Sequence, residues 1–279
     1  MHKECQLDLV DIKMIFFKQK IIFIHIPRCG GTFIEQNLWK KEFGNYFSFD
    51  NSDEKHLLQG FVDKYCNKFQ SDGLQHLTAE NIEKIYSNEM KSFYKFSFVR
   101  NPFSRVASAY CEIMKYRKDL RDFLVIYKDS SFNNFLKLIK KNNHTHWMPM
   151  VNFFSKDKID FLGRFENFEK DLLTIKQTKD INFSSQNFKN SHKFSDNFDY
   201  LKFYENKENI EIVEEIYQDD LKYFDYNFES FKNFEKSKNT KNSIEPNIKL
   251  DKKEVKFKRF LKRYIKKKLY MTLNNDKFN

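Results

Sequence analysis

The sequence predicts an α/β fold in which helices flank a central parallel sheet, because two strand–turn–helix units occur in one chain. The first unit includes IFIHIPRCGGTF at residues 22–33, and the second reads YKFSFVRNPFSRVASAY at residues 94–110. Each opens on an apolar run, which is typical of a strand covered on both faces. Each run then passes through a short turn into a helical pattern, the order from which parallel sheets are built.

The turn of the first unit predicts an anion-binding loop. It follows the expected strand Ile21–Ile26, and its glycines, Gly30 and Gly31, let backbone N–H groups approach an anion without an intervening Cβ. The N-terminal dipole of the next helix adds to this attraction, so we expect a phosphate here. The loop is not a triphosphatase loop, because GxxxxGK[ST] is absent and Arg28 precedes the glycines.

The second unit predicts another phosphate-binding segment. Arg100 stands at the end of its strand, Asn101 is a good helix N-cap, and Pro102 occupies the first helical position. Ser108 lies two turns into that helix. Because ligands bind at the carboxyl ends of parallel strands, we expect both units to serve one site that holds two separated phosphates.

These motifs resemble those of sulfotransferases that use 3′-phosphoadenosine-5′-phosphosulfate (PAPS). HIPRCGGT resembles the 5′-phosphosulfate loop, FVRNPFSRVASAY resembles the 3′-phosphate motif, and GRFENFEKDL at residues 163–172 resembles a third segment. The likeness is to carbohydrate O-sulfotransferases related to heparan sulfate 2-O- and chondroitin sulfotransferases, and it spans roughly residues 20–230. The family usually has Lys where this chain has Arg28, and often Thr where it has Cys29.

The resemblance implies a P-loop-containing nucleotide-binding fold, PAPS as donor, a carbohydrate hydroxyl as acceptor and no metal. Arg28 would stabilise the negative charge that develops on the bridging oxygen. Cys29 and Phe33 would contribute mainly backbone N–H groups, which leaves their side chains less constrained. The donor-binding residues implied in this way are Arg28, Cys29, Gly30, Gly31, Thr32, Phe33, Arg100 and Ser108.

Sulfuryl transfer needs a base, since the acceptor hydroxyl must lose its proton as it attacks sulfur. The resemblance assigns this role to His76, before a helix that we expect to start near Thr78. An imidazole with a pKa near 6.5 suits this task at neutral pH. The alternatives are His146, which is also a candidate acceptor-binding residue, and Glu112. We expect His25 to pack beneath the first loop.

Two further segments are expected near the site. Glu166 follows a predicted strand at Ile159–Gly163 and would orient a site residue or the acceptor sugar, or else form an ion pair with Arg164 or Arg105. Residues 190–193 would form a nucleotide-contacting loop, or an ordinary polar turn.

Composition favours a cytoplasmic enzyme. The cysteines, Cys5, Cys29, Cys66 and Cys111, are scattered without metal-ligand spacing, which favours free thiols in a reducing compartment. No stretch approaches the ~20 apolar residues of a membrane span. The phosphate loop comes as early as residue 28, so we expect a bacterial member of the family rather than a Golgi-anchored one.

Charge divides the chain into a domain at residues 1–230 and a tail at residues 231–279. The tail holds 16 Lys and Arg against 5 Asp and Glu, which leaves 34 of each sign in the domain. Residues 231–250 are polar and predict a linker, and residues 251–271 predict a basic amphipathic helix. Such a helix suits an anionic membrane surface. Its alternatives are docking on the enzyme itself, a solvated tail, or contact with an acidic glycan or nucleic acid.

The function expected from the sequence is therefore PAPS-dependent sulfation of a carbohydrate. If the tail binds the inner face of the membrane, we expect the acceptor to be lipid-linked. No nucleic acid partner is expected for the domain. Two other classes remain open: a P-loop kinase or nucleotide phosphotransferase, and a non-catalytic relative that binds PAPS or glycan. The sequence does not define the acceptor hydroxyl or the oligomeric state.

The tail hypothesis predicts weaker binding to anionic vesicles when the basic segment is removed, because the Lys and Arg of residues 251–271 would supply the attraction. Vesicle flotation of the full chain against a chain ending at Phe231 measures this difference. Equal binding by the two chains would remove the hypothesis.

Overall fold

The computed structural model describes residues 14–43, 74–179, 181, 183 and 199–244, with side chains as far as residue 238. Its sheet is made of β1 (Ile15–Phe16), β2 (Ile21–Ile24), β3 (Tyr94–Val99) and β4 (Phe161–Arg164), in that order. β1 pairs antiparallel with β2, whereas β2 with β3 and β3 with β4 pair in parallel. The predicted α/β class with a largely parallel sheet is confirmed.

Helices follow or flank these strands throughout the described ranges. They are α1 (Gly31–Phe43), α2 (Ala79–Ile85), α3 (Ser87–Ser92), α4 (Pro102–Tyr116), α5 (Lys118–Leu124), α6 (Phe132–Lys141), α7 (Phe168–Lys179), α8 (Lys207–Ile216), α9 (Gln218–Tyr223) and α10 (Phe228–Ile244). Short 3₁₀ turns cover Leu74–His76, Met150–Asn152, Lys156–Lys158, Phe165–Asn167 and Tyr200–Tyr204.

Two predicted helix starts are confirmed by their capping hydrogen bonds. The side chain of Asn101 accepts from the Phe103 N–H at 3.1 Å, with Pro102 in the first helical position of α4. The Thr78 hydroxyl accepts from the Asn81 N–H at 3.2 Å at the start of α2. Each cap satisfies a backbone donor that lacks an intrahelical partner.

Two hydrophobic clusters stabilise the domain. The first joins the strands to α1, α2 and α7, and the second lies among α4, α6, α8 and α10. All residues of β2 are buried, as the continuous apolar run predicted. Buried side chains that define the second cluster include Phe103, Val106, Phe135, Val213 and Phe231.

The strand ends differ slightly from the predicted ones. β2 ends at Ile24 rather than Ile26, and the Ile24 carbonyl at this end accepts from the Ser97 hydroxyl at 2.7 Å. β4 begins at Phe161 rather than Ile159. Helices α8 and α9 are separated at Tyr217, whose hydroxyl donates to the Trp147 carbonyl at 2.7 Å.

The predicted linker at residues 231–250 starts inside a helix. Phe231 in α10 is fully buried and stacks on Phe103 with ring centres 5.8 Å apart, and Glu235 is also buried. The composition of residues 231–250 did not indicate that the helix is packed on the domain, because few of its residues are apolar. The first compact unit accordingly extends to Lys238, and the second comprises residues 239–279.

The tail prediction itself is not tested, because residues 251–271 lie outside the described part of the chain. A truncation at Phe231 would cut α10, so the flotation comparison is better made with a chain ending after Ile244. Across the described ranges, every helix is too short or too polar to cross a membrane.

Gly163 provides a stability prediction, because it faces Phe98 across the β3–β4 pair. A Cβ at this position would come closer to three atoms of the Phe98 ring than real Cβ contacts do, and that ring is buried. We expect Gly163→Ala to lower the free energy of unfolding by about 1–3 kcal/mol through overpacking, as measured by urea denaturation.

Phe98→Leu supplies the control for this overpacking. In that background the added methyl group has room, so the cost of Gly163→Ala should shrink. An equal cost in both backgrounds would contradict the proposed clash.

Candidate functional site

The two strand–turn–helix units meet through direct side-chain contacts. Arg28, in the turn between β2 and α1, donates from Nε and Nη2 to the Ser108 hydroxyl of α4, at 3.1 and 2.8 Å. Arg100, at the end of β3, donates from Nη1 to the Arg28 carbonyl at 3.1 Å. The structure thus places Arg28, Arg100 and Ser108 together, where the sequence expected them.

The first loop has a left-handed backbone at two positions. Arg28 has φ 68° and Gly30 has φ 86°. The conformation costs a non-glycine residue on the order of 1 kcal/mol, so surrounding contacts must maintain it at Arg28. Gly31 is needed for another reason, because an added Cβ there would overlap the His25 ring.

The backbone N–H groups of the loop divide into two sets. Cys29 donates to the Ile26 carbonyl at 3.3 Å, and Phe33 donates to the Gly30 carbonyl at 3.2 Å. Within the described ranges, the N–H groups of Gly30, Gly31 and Thr32 make no hydrogen bond. They are the donors left for an anion at the start of α1.

The structure differs from the expectation that the side chains of Cys29 and Phe33 are less constrained, whereas their part in donor binding stays a prediction. Their N–H groups donate within the loop, and their side chains are constrained because both are buried in the first hydrophobic cluster. The exposed Thr32, by contrast, remains positioned as predicted, at the start of the helix.

Arg28 is held by a carboxylate as well as by Ser108. Its Nη1 lies 2.5 Å from Oε2 of Glu112, and both side chains are about a quarter exposed, at 26% and 28%. The alternative base Glu112 is thus already engaged as the counter-ion of Arg28. An ionised pair of this geometry keeps the guanidinium at the mouth of the loop.

Arg100 is a buried cation with unused hydrogen-bonding capacity. It is 2% exposed, its Nε donates to the Ser104 hydroxyl at 2.5 Å, and its Cζ lies 4.1 Å from the Phe165 ring centre. Its Nη2 has no hydrogen-bond partner among the described residues. A buried charge is costly without an anion, which makes Arg100 a candidate for binding one.

Arg105 supports the loop from below and was missed as a site-building residue. It donates from Nε to the Pro27 carbonyl at 3.1 Å and from Nη1 to the Met148 carbonyl at 2.9 Å. Asp220 accepts from the N–H groups of residues 150 and 151, at 2.8 and 2.9 Å. Burial raises the pKa of Asp220 to about 6. Together these groups fix the segment around Met148 against the phosphate loop.

His76 lies at one end of the loop, inside a row of histidine rings. Its ring centre is 4.6 Å from that of His25 and 5.3 Å from that of His146. His76 Nδ1 lies 3.2 Å from the His25 carbonyl. Because a carbonyl only accepts, Nδ1 carries the proton in this arrangement and Nε2 of the neutral ring holds a lone pair. Burial first, and then His25, lower the pKa of His76 well below its usual value.

His25 packs beneath the loop, as expected, and connects α1 to the turn of His76. Its Nδ1 lies 2.8 Å from Oε1 of Glu35 in α1, and Oε2 of the same carboxylate accepts from Gln75 at 2.6 Å. Gln75 directly precedes His76. Glu35 therefore orients both the ring below the loop and the turn that carries the candidate base.

His146 is poorly suited to be the base. Its Nε2 accepts from Nη1 of Arg117 at 2.9 Å, which occupies the lone pair of the neutral ring. Burial, followed by the neighbouring His76, lowers the pKa of His146 well below its usual value. Its geometric role is to hold Arg117, which also pairs with Asp119 at 2.6 Å. Arg117 is a cation near His76 that sequence reasoning did not single out.

Glu166 supports the second loop instead of pairing with Arg164 or Arg105. Its Oε1 accepts from the Asn101 N–H, and its Oε2 accepts from the Tyr226 hydroxyl, both at 2.8 Å. The side chain therefore orients the backbone that follows Arg100, which agrees with the prediction that Glu166 orients a site residue. Both oxygens of its carboxylate accept from these two donors.

A sequence model of the sulfotransferase family matches residues 14–227, which include both loops and His76. The chain belongs to the sulfotransferase family. A curated relative, "Carbohydrate sulfotransferase 10" of Xenopus laevis, is 24% identical over 188 residues, which cover 55% of this chain and 49% of that protein. The chain thus spans about half the length of this relative. No solved structure matches the chain.

Two further predictions for this sulfotransferase concern the loop at residues 190–193 and the absence of a metal. Residues 190–193 fall outside the described ranges. In the part of the chain that is described, no group of three or more His, Cys, Asp or Glu side chains is arranged to hold a metal ion.

The buried thiol within the first loop yields a reactivity prediction. Cys29 is 1% exposed, and burial raises its pKa from 9.0 to about 12. Because the thiolate is the nucleophile, we expect Cys29 to react with iodoacetamide at pH 8 at least about 1,000-fold more slowly in the folded enzyme than in urea. Mass spectrometry of the peptide that contains Cys29 measures both rates, and similar rates would contradict the burial of the thiol.

Proposed function

We propose that this sulfotransferase transfers the sulfuryl group of PAPS to a hydroxyl of a carbohydrate, with His76 as the base. The observation that carries the proposal is the hydrogen bonding of Arg28 to Ser108, since it joins in one place the two segments that are expected to bind phosphate. The family match supports sulfuryl transfer, and the name of the Xenopus laevis relative supports a carbohydrate acceptor.

The residues present fit a donor with two separated anionic groups. The N–H groups of Gly30, Gly31 and Thr32 would hold the 5′-phosphosulfate at the start of α1. Arg100 and Ser108 would hold the 3′-phosphate, for which the unused Nη2 of Arg100 is a ready donor. When bound, the donor supplies an activated sulfuryl group on a phosphate leaving group.

The transfer step assigns a role to each nearby side chain. The acceptor oxygen forms a bond to sulfur while the bond from sulfur to the bridging oxygen breaks, and that electron pair leaves with 3′,5′-ADP. The acceptor proton passes to Nε2 of His76, which the Nδ1 hydrogen bond leaves unprotonated. Arg28 stabilises the charge that develops on the bridging oxygen.

Arg28 can do this only after exchanging partners. In the structure its guanidinium is satisfied by Glu112 and Ser108. The donor must compete with that carboxylate, and the planar fork of arginine can then bind two oxygens at once, which the usual lysine cannot do. The replacement of Lys by Arg is therefore compatible with donor binding. The carboxylate of Glu112 would compete with the donor for the guanidinium of Arg28.

The test of the proposed function is the transfer of ³⁵S-labelled sulfate from PAPS to glycan extracts, followed by mapping of the labelled product. We expect label in a carbohydrate fraction with wild-type protein. Phosphate transfer from ATP and magnesium without PAPS binding would favour a kinase. PAPS binding without sulfate transfer to any glycan would favour a non-catalytic binding protein.

The role of His76 gives a prediction for kinetics and pH dependence. His76→Ala should lower kcat by about 10²–10⁴-fold while binding of 3′,5′-ADP is retained. Because the neutral ring is the active form and its pKa is lowered, wild-type activity should persist to pH values below the usual histidine pKa of 6.5 before it falls. This acidic fall should be lost in the variant.

His144→Ala is the matched control, because it also removes a buried histidine, whose ring centre lies 5.2 Å from that of His146. It should affect stability more than kcat. Full activity of His76→Ala would remove the assignment of the base.

A further inference from the structure

Helix α10 brings a lysine to the same aromatic ring that contacts Arg100. Nζ of Lys238 lies 5.6 Å from the centre of the Tyr200 ring, and Cζ of Arg100 lies 5.8 Å from the same centre. The Lys238 side chain is only 21% exposed. Two largely buried cations therefore share one ring at the edge of the site.

The charges around this ring are incompletely matched. Lys238 pairs with Oε1 of Glu235 at 2.7 Å, and that carboxylate is 3% exposed. Arg100 hydrogen-bonds only neutral groups, and its Nη2 has no partner among the described residues. The Glu166 carboxylate also acts on Lys238 through its charge, while its two oxygens accept from the Asn101 N–H and the Tyr226 hydroxyl and from no cation among the described residues. Neighbouring buried cations repel each other, and an anion that lies close to both offsets this repulsion.

We propose that Lys238 is a further donor-binding residue, which contacts the 3′-phosphate of the nucleotide together with Arg100, and that Glu235 is its counter-ion while no nucleotide is bound. The inference rests on the proposed function. A phosphomonoester carries about −1.5 to −2 charges at neutral pH, so it matches two cations better than the single charge of a carboxylate does. Lys238 would therefore help the enzyme to select nucleotides with a 3′-phosphate.

The same helix contains a second Lys–Glu ion pair that can serve as a control for the role of Lys238. Lys232 and Glu229 have the same spacing as Lys238 and Glu235, lie 2.5 Å apart, and sit beside an aromatic ring, Phe228, at 5.8 Å. The Glu229 side chain is 63% exposed, so this pair resembles an ordinary surface ion pair of small energetic value. Lys232→Met is thus the matched control for Lys238→Met.

The experiment is calorimetric titration of the full chain with 3′,5′-ADP and with 5′-AMP, which lacks the 3′-phosphate. Lys238→Met should weaken 3′,5′-ADP binding by about 10-fold or more and change 5′-AMP binding by less than about 2-fold, since a charge-assisted contact to phosphate is lost. Lys232→Met should bind both nucleotides like the wild type.

Glu235→Gln supplies a second, independent variant. Because the amide no longer competes for Lys238, it should bind 3′,5′-ADP at least as tightly as the wild type. Unchanged 3′,5′-ADP binding in Lys238→Met, or an equal loss for both nucleotides, would overturn the assignment. If the wild type itself does not prefer 3′,5′-ADP to 5′-AMP, the proposed function fails first, and the two failures are thereby told apart.

Discussion

The site depends on the left-handed backbone at Arg28, which two buried guanidinium groups hold from either side. Arg105 binds the carbonyl before this residue, and Arg100 binds its own carbonyl. Both arginines come from the second strand–turn–helix unit, so the shape of the first loop is maintained by its partner. The parallel pairing of β2 with β3 makes this geometry possible, because it brings the two turns to one edge of the sheet.

Electrostatics at this edge follow a common pattern. Arg28 is balanced by Glu112 and Lys238 by Glu235, whereas Arg100 faces neutral groups. On the proposed function, an anionic ligand would meet one cation without a carboxylate partner and two that must exchange carboxylates. Such an arrangement favours ligands of high charge over weakly charged ones, since only a strong anion repays the exchange. On this view, the selection of ligands would depend on the displacement of Glu112 and Glu235 as well as on attraction to the cations.

Sequence reasoning located the groups whose placement is local. Arg28 and Arg100 lie within a few residues of a strand end and Ser108 lies two turns into the helix that follows, so the motif alone placed them, and the α/β class followed from the same two motifs. Lys238, Arg117 and Arg105 were not assigned to the site because their positions depend on packing between elements distant in sequence. The predicted linker failed for the same reason, as one buried aromatic side chain, Phe231, anchors a polar helix to the domain.

The close approach of the His25 ring to Gly31 limits which side chains these two positions can hold together. The imidazole occupies the space that any side chain at position 31 would need. A larger residue at position 31 therefore requires a smaller one at position 25, and that exchange would strip Glu35 of its histidine partner and leave Gln75 as its neighbour. Among homologous chains, the residues at positions 25, 31 and 35 should accordingly vary as a set.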